Sequence, residues 1–486
     1  MSIQRSLTRP LEWPLALVFM ATAAACFHAA YLRVDSELFH LLIVGYVACL
    51  VQLARLKTSR QSFYAGLAAG LLCIAPQLTC FWNIFGPGAI VLWIILAFWI
   101  GAFTGTTHAA LERFGAIWTA VLIPFLWMGL EYFRSELYYL KFSWLNVGYA
   151  LSGSQIVPFH LFGIYGIGFL AALCAGLFLA LKWRYVAFAI VAAISVIVMF
   201  AHAPAGFDTA PQLHIAGVQM EFPSEHDIPP ALDSALAKHP NADLLVLSEY
   251  TLDGPVPNSL KDWCRTRHRY LVVGGKDPTP KNNYYDSAFV VSPDGEVIFR
   301  QVKSIPIQFF KDGLPAPEQK VWDSPWGKIG FCVCYDLSYT RVTDGLVKQG
   351  AQLIIVPTMD VADWGEHQHQ LHALVAPVRA AEYRVPIFRL ASSGISQAIS
   401  STGGTLATAP FPGEGKTLFA EFRLKGHGSL PMDRFVAPFA VCVTGVAFIF
   451  FACRKRKPDR PTFKMWKRKN WNNRLRLPKT NPACEM

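Results

Sequence analysis

Lys328-Ile-Gly-Phe-Cys-Val-Cys334-Tyr335-Asp336 reads as a short buried strand that ends on a thiol and turns directly into a polar segment, with a helix expected at 340–349. A nucleophile at a sharp strand-to-helix turn is exposed, and the helix N-terminus helps hold thiolate or oxyanion charge. Cys332, two residues back on the same strand, points the same way but sits deeper and is read as core. Around this strand, residues 210–424 alternate short apolar runs with helical stretches. Strands are expected to begin near 213, 242, 270, 287, 296, 328, 351 and 386, with a hairpin turn at Asp294-Gly295, and helices near 228–239, 258–268, 340–349 and 366–383. Such a mixture implies a layered α/β domain.

Two further polar residues close strands in this region: Glu249 ends Ala242-Asp-Leu-Leu-Val-Leu-Ser-Glu249, and Lys303 ends Glu296-Val-Ile-Phe-Arg-Gln-Val-Lys303. A thiol attacks a carbonyl best when a base takes its proton and a cation stands where charge develops on the carbonyl oxygen. Glu249 is expected to be that base, its pKa raised by burial, and Lys303 the electrostatic stabiliser.

The rest of the chain is membrane-like. Of 486 residues, 53% are hydrophobic and only 16% charged, well under the charged quarter usual in soluble domains. Seven apolar segments precede the α/β region, near 13–32, 37–54, 63–82, 88–109, 115–134, 159–181 and 185–202, and an eighth, 435–453, follows it. Each approaches the ~20 residues a helix needs to span a bilayer. The first follows Arg5 and Arg9 without a clear cleavage motif, so a retained helix is expected rather than a signal peptide. Lys and Arg concentrate on alternating sides of these segments, which by the positive-inside rule puts both termini in the cytoplasm and 204–434 outside. The expected organisation is a seven-helix transmembrane domain (1–203), a catalytic domain (204–434), a C-terminal transmembrane helix (435–453) and a basic cytoplasmic tail (454–486).

The formal net charge of +11 resides almost wholly in that tail, which holds twelve Lys or Arg against Asp459 and Glu485. A basic block after an apolar helix fixes topology, so nucleic acid is not expected as a partner. Eleven cysteines are scattered without paired spacing, which excludes a disulfide framework. Gly413-Glu-Gly-Lys-Thr417 lacks the first glycine of a phosphate loop, because position 410 is Pro410. Among His367, His369 and His372, only the last two share a helix face, which reads as a polar face near the active-site mouth rather than a metal site. No cofactor or metal is expected. Trp127, Glu131 and Arg134 fall on one helix face before an aromatic loop, 135–158, and are read as a charge pair at a helix end beside an interfacial aromatic belt.

Taken together, Glu249, Lys303 and Cys334 in that order resemble the carbon–nitrogen hydrolase (nitrilase) superfamily, an αββα sandwich with a Glu–Lys–Cys triad. Arg379-Ala-Ala-Glu382 resembles the Arg-Ala-x-Glu that follows its nucleophile. Trp127-x3-Glu131-x2-Arg134, Phe142-Ser-Trp144, Gly148-Tyr149 and Gln155 resemble the membrane region of the apolipoprotein N-acyltransferase family. The resemblance implies a cysteine thioester that takes an acyl chain from a membrane phospholipid and passes it to the N-terminal amine of a diacylglyceryl-cysteine lipoprotein, in a bacterial inner membrane. A membrane-anchored amidase and a non-catalytic lipid-binding scaffold are the alternatives. Tyr335, Asp336 and Trp144 are carried over as supporting residues. Lys311 stands where the family has a second glutamate, and Asp312 and Glu318 are the two candidates to replace it.

Overall fold

A computed structural model describes residues 10–32, 37–180, 185, 212–413, 415–424 and 426–453. The expected seventh span and the basic tail lie outside these, except for Tyr185 in that span. The first half is a bundle of apolar helices: α1 (Trp13–Ala30), α2 (Glu37–Leu53), α3 (Ser59–Gln77), the short α4 (Cys80–Phe85), α5 (Gly88–Tyr132) and α6 (Phe159–Ala180). Of these, α1, α5 and α6 are long and apolar enough to cross a membrane. The third segment begins at Ser59 because the Thr58 side chain caps it, accepting from the Gln61 N–H at 3.1 Å. Segments four and five are joined without a loop, through Gly115 at φ 75°. α3 and α5 approach closely through Gly66-x3-Gly70 and Gly101-x3-Gly105, where an added Cβ would collide with the facing helix.

The second half holds two six-stranded sheets. The first runs in the order β12 (Thr417–Arg423), β1 (Gln212–Val218), β2 (Leu244–Leu247), β3 (Tyr270–Thr279), β4 (Asn283–Val291), β5 (Val297–Val302). The second runs β11 (Thr405–Ala409), β10 (Ser396–Ile399), β9 (Ile387–Ala391), β8 (Leu353–Thr358), β7 (Gly327–Phe331), β6 (Val321–Ser324). In each, three central strands are parallel and the outer ones antiparallel. Side-chain alternation sorts the core of the first sheet into two faces. Leu213, Ile215, Leu244 and Val246 share a core with Phe331 and Leu390 of the second sheet. Ala216, Val218, Leu245 and Leu247 pack instead against α7 (Ile228–Lys238) and α8 (Asn258–Arg267).

Helices α9 (Thr340–Lys348), α10 (Glu366–Ala373) and α11 (Val375–Tyr383) belong to the second sheet's side. The expected helix 366–383 is thus two helices meeting at Leu374. Pro377 supplies the reason, since it has no N–H and its ring opposes the carbonyl of Ala373. The chain closes with α12 (Asp433–Cys453), a further helix of membrane-spanning length.

Glu131 and Arg134 are not an exposed charge pair. Both are buried: Glu131 Oε1 accepts from the Val147 N–H at 2.9 Å, and Arg134 donates to Asn146 Oδ1. They hold the aromatic loop so that Phe142, Trp144 and Tyr149 are buried within the protein, while Tyr138 is half-buried and Tyr139 exposed.

Candidate active site

Glu249, Lys303 and Cys334 each lie just past the carboxyl end of a strand, after β2, β5 and β7. The fold brings all three to one place. Lys303 Nζ lies 2.7 Å from Glu249 Oε1 and 2.7 Å from Asp312 Oδ2, with Asp286 Oδ2 at 3.4 Å. The other Glu249 oxygen accepts from the Met359 N–H at 2.7 Å. Cys334 Sγ donates to the Met359 carbonyl at 3.7 Å, on the residue whose N–H binds Glu249, and Cys334 has φ 51°, a left-handed conformation strained for a residue with a Cβ. That turn takes its side chain off the line of Cys332, which is wholly buried.

Burial is the largest influence on each group, and the neighbours decide the outcome. Burial alone pushes Glu249 up. The Lys303 ammonium, which also hydrogen-bonds the carboxylate, outweighs it together with the neighbouring Asp286 and Cys334 and holds the carboxyl below its ordinary value, the reverse of the expected shift. Burial and the Glu249 charge push the Cys334 thiol well up, with Lys303 opposing. Burial favours neutral Lys303, but Glu249, Asp312 and Asp286 keep it firmly charged. Burial and the Glu249 charge push Asp286 well up, with Lys303 opposing. The resting arrangement is a thiol beside a carboxylate, with the ammonium close behind. Oxygens of Glu249, Asp286 and Asp312 lie within 4.8 Å of one another, a spacing that would suit a cation. The Lys303 ammonium fills that role.

The remaining expected residues divide. Asp312 meets Lys303 and also accepts from Tyr250 Oη at 2.8 Å. Glu318 is a correction: its side chain is largely exposed and pairs with Lys320 at 2.6 Å. Gln301 binds the Glu318 carbonyl and the Lys320 N–H, so the backbone of this stretch faces β5 and the Glu318 carboxylate is left outside. Asp336 is fully buried and accepts from the Ser304 and Ile305 N–H groups at 2.9 and 2.8 Å, which pins the turn after Lys303. Burial, offset in part by these bonds and by Lys303, raises its pKa to about 6. Tyr335 donates to the Lys141 carbonyl at 3.2 Å, and Trp144 Nε1 donates to Ser338 Oγ at 3.0 Å.

Tyr335 and Trp144 wall a cleft that leads away from Cys334, with about 910 Å³ of free space counted out to its mouth. Its lining is almost entirely apolar. Phe81 and Phe85 come from α4, Leu92 and Leu96 from α5, and Phe309 and Phe310 from the segment after Lys303. Both halves of the chain therefore build it. Sequence reasoning missed Asp286, the Met359 N–H and the bonding of His372, in the cleft lining, to buried Asp360 and Arg389. Asp286 interrupts the apolar pattern of β4 beside a strand that ends in Lys303, a signal visible only once those strands are paired.

A carbon-nitrogen hydrolase model matches residues 220–430, and an apolipoprotein N-acyltransferase N-terminal domain model matches residues 23–177. The apolipoprotein N-acyltransferase of Geobacter metallireducens is 26% identical over 469 residues, spanning 82% of this chain and 88% of its own. That of Haemophilus ducreyi is 22% identical over 422 residues, spanning 75% and 81%. A solved carbon-nitrogen hydrolase from Helicobacter pylori G27 matches 50% of this chain and 95% of its own at 18% identity and TM-score 0.39. With both models matched in order and relatives aligned across both halves, the chain belongs to the apolipoprotein N-acyltransferase family.

Proposed function

We propose that this protein is a phospholipid-to-apolipoprotein N-acyltransferase of the bacterial inner membrane, with Cys334 as nucleophile. The observation that carries this reading is the position of a buried thiol, near the Glu249 carboxylate, in the lining of an apolar cleft walled partly by membrane helices. A hydrolase of small soluble amides has no need of such a wall. A fatty acyl chain does, because burying each methylene gains about 0.8 kcal/mol.

The chemistry divides into two acyl transfers. Glu249 takes the Sγ proton as the sulfur attacks an ester carbonyl of the phospholipid, and Lys303 offsets the negative charge near the reacting centre. Glu249 then returns the proton to the departing lysophospholipid oxygen, leaving a thioester on Cys334. The N-terminal amine of a diacylglyceryl-cysteine attacks that thioester, the amide forms, and the thiol is restored. Asp312 and Asp286 position Lys303, and Asp336 fixes the turn that carries it.

The domain boundaries also belong to this reading: helices within 1–203 and 435–453 in the bilayer, 204–434 on its outer side, and both termini in the cytoplasm. A reporter fused after Lys425 is expected to be active only when extracytoplasmic, and activity in the cytoplasm would overturn this topology.

The deciding experiment is intact-mass measurement of the detergent-purified protein after incubation with phosphatidylethanolamine. A hydroxylamine-sensitive acyl adduct is expected on the wild type and not on Cys334→Ser. Folded wild-type protein without an adduct would favour amide hydrolysis instead.

A further inference from the structure

Beside Cys334 the cleft wall carries a second buried polar assembly. His372 on α10 lines the cleft together with Cys334. Its Nδ1 lies 2.8 Å from Asp360 Oδ1, and Asp360 Oδ2 accepts from Arg389 Nη2 at 2.6 Å. Arg389 Nη2, which can only donate, also lies 3.0 Å from Nδ1, but it already donates to Asp360 Oδ2. The ionised carboxylate is the closer partner and can only accept, so the proton is assigned to Nδ1 in the His372–Asp360 bond, and Nε2 of the neutral ring is then a bare acceptor. Among the described residues Nε2 has no hydrogen-bond partner. Trp144 stacks on the imidazole at 4.7 Å and 19°, fixing the plane of the ring.

The titratable groups around it are Asp360 after β8, Arg389 on β9 and His369 on its own helix. Cys334, Tyr335 and Lys141 share the cleft wall. Burial, with Arg389 and His369, outweighs Asp360 and holds His372 below its ordinary value, so it is a neutral base at pH 7.

The transfer step proposed above has work for such a base. An N-terminal amine is mostly ammonium at neutral pH and has no lone pair to attack with. Of its three protons, one stays on the amide nitrogen and one returns to Sγ by way of Glu249. The third must leave first. We propose that His372 Nε2 accepts this proton, making His372 the acceptor-side base of the second half-reaction and the primary ammonium its ligand. The proton passes on to water at the cleft mouth, and the free amine attacks the thioester carbonyl.

This inference rests on the acyltransferase reading, and its test separates the two. Full-length protein is acylated from phosphatidylethanolamine and then given either a diacylglyceryl-cysteinyl peptide or hydroxylamine, a nucleophile that arrives neutral. His372→Asn keeps an N–H donor toward Asp360 and removes Nε2. It should form the acyl-enzyme yet transfer to the peptide about 10²-fold more slowly at pH 7. The deficit should shrink as pH rises and free amine grows, and release by hydroxylamine should match the wild type. Equal losses with both nucleophiles, a pH-independent loss, or no loss would overturn it. So would failure of both His372→Asn and His372→Gln to form an acyl-enzyme that the wild type forms, since His372 would then be only a wall. No acyl-enzyme in the wild type refutes the acyltransferase reading itself, and this inference with it.

Discussion

Glu382 Oε1 on α11 accepts a 2.6 Å hydrogen bond from the backbone N–H of Ile164 in α6. Ile164 follows Gly163, where φ is 69° and the helix is broken, so its N–H has no partner within the helix. Asp433 on α12 takes the next one, accepting from the Tyr165 N–H at 3.0 Å. Two carboxylates from beyond the bundle thus cap a membrane helix at its positive end. Glu382 is also paired to Arg379 at 2.5 Å, and Arg379 donates to the Leu337 and Ser338 carbonyls at 3.0 and 2.8 Å. The turn after Cys334 is therefore tied to the helix bundle through one buried ion pair. Removing one partner of such a pair costs about 3–5 kcal/mol. Glu382→Ala should lower the unfolding temperature in detergent sharply, with Glu382→Gln in between. Unchanged melting of Glu382→Ala would show that the pair carries no docking energy.

The electrostatics of Glu249 give a pH prediction with a definite sign. Held below its ordinary value, it stays ionised through the neutral range. Acyl-enzyme formation should therefore show no acidic limb from this group until the pH falls below the ordinary carboxylate range. Lys303→Met removes the cation and leaves burial unopposed, so the Glu249 pKa rises. Two effects should appear together: a rate fall of about 10²-fold or more, and an acidic limb moved to higher pH. A lower rate with the limb in its wild-type position would mean that Lys303 does not act on Glu249.

Asp312 and Glu318 looked equivalent in the sequence and differ entirely in place. Asp312 lies 2.7 Å from the buried Lys303 ammonium, whereas Glu318 pairs with Lys320 on the surface. Asp312→Asn should slow acyl-enzyme formation by about 10-fold or more, a loss of one charge-assisted hydrogen bond or roughly 1.5–3 kcal/mol. Glu318→Gln should stay near the wild-type rate, since exposed pairs contribute about 0–1 kcal/mol. The reverse order in a rapid-quench assay would reassign the second carboxylate.

What the sequence made legible follows from the length scale of each signal. Strands with continuous apolar runs, such as Leu244–Leu247 and Leu353–Thr358, stood out, as did the polar residues that end them. Strands Ser396–Ile399 and Thr405–Ala409 went unread, because Ser, Thr and Ala give neither an apolar run nor a clear alternation. The segments expected at 88–109 and 115–134 run into one another through Gly115, since one glycine does the work of several residues. His372 was noticed for its spacing to His369. Its bond to Asp360 depends on how the segment after β8 meets α10, and its stacking on Trp144, more than two hundred residues away in the chain, on packing between the two halves. Periodicity carries no trace of that.

Phe309 and Phe310 mark where the cleft meets its surroundings. They follow Lys303 in the chain, are 67% and 42% exposed, and set their rings against Phe85 of α4 at 6.1 and 5.8 Å. Exposed aromatic side chains beside an apolar cleft suit a boundary with lipid better than one with water. A carboxylate there must shed its hydration for an acyl chain to slide past, while a small soluble ester approaching Cys334 has little contact with it. Phe309→Asp should therefore reduce acyl-enzyme formation from phosphatidylethanolamine in vesicles much more than from a short-chain soluble ester. The ratio of the two rates is the readout, because a general loss of folded protein lowers both alike. If the two fall in parallel, the donor does not enter past Phe309.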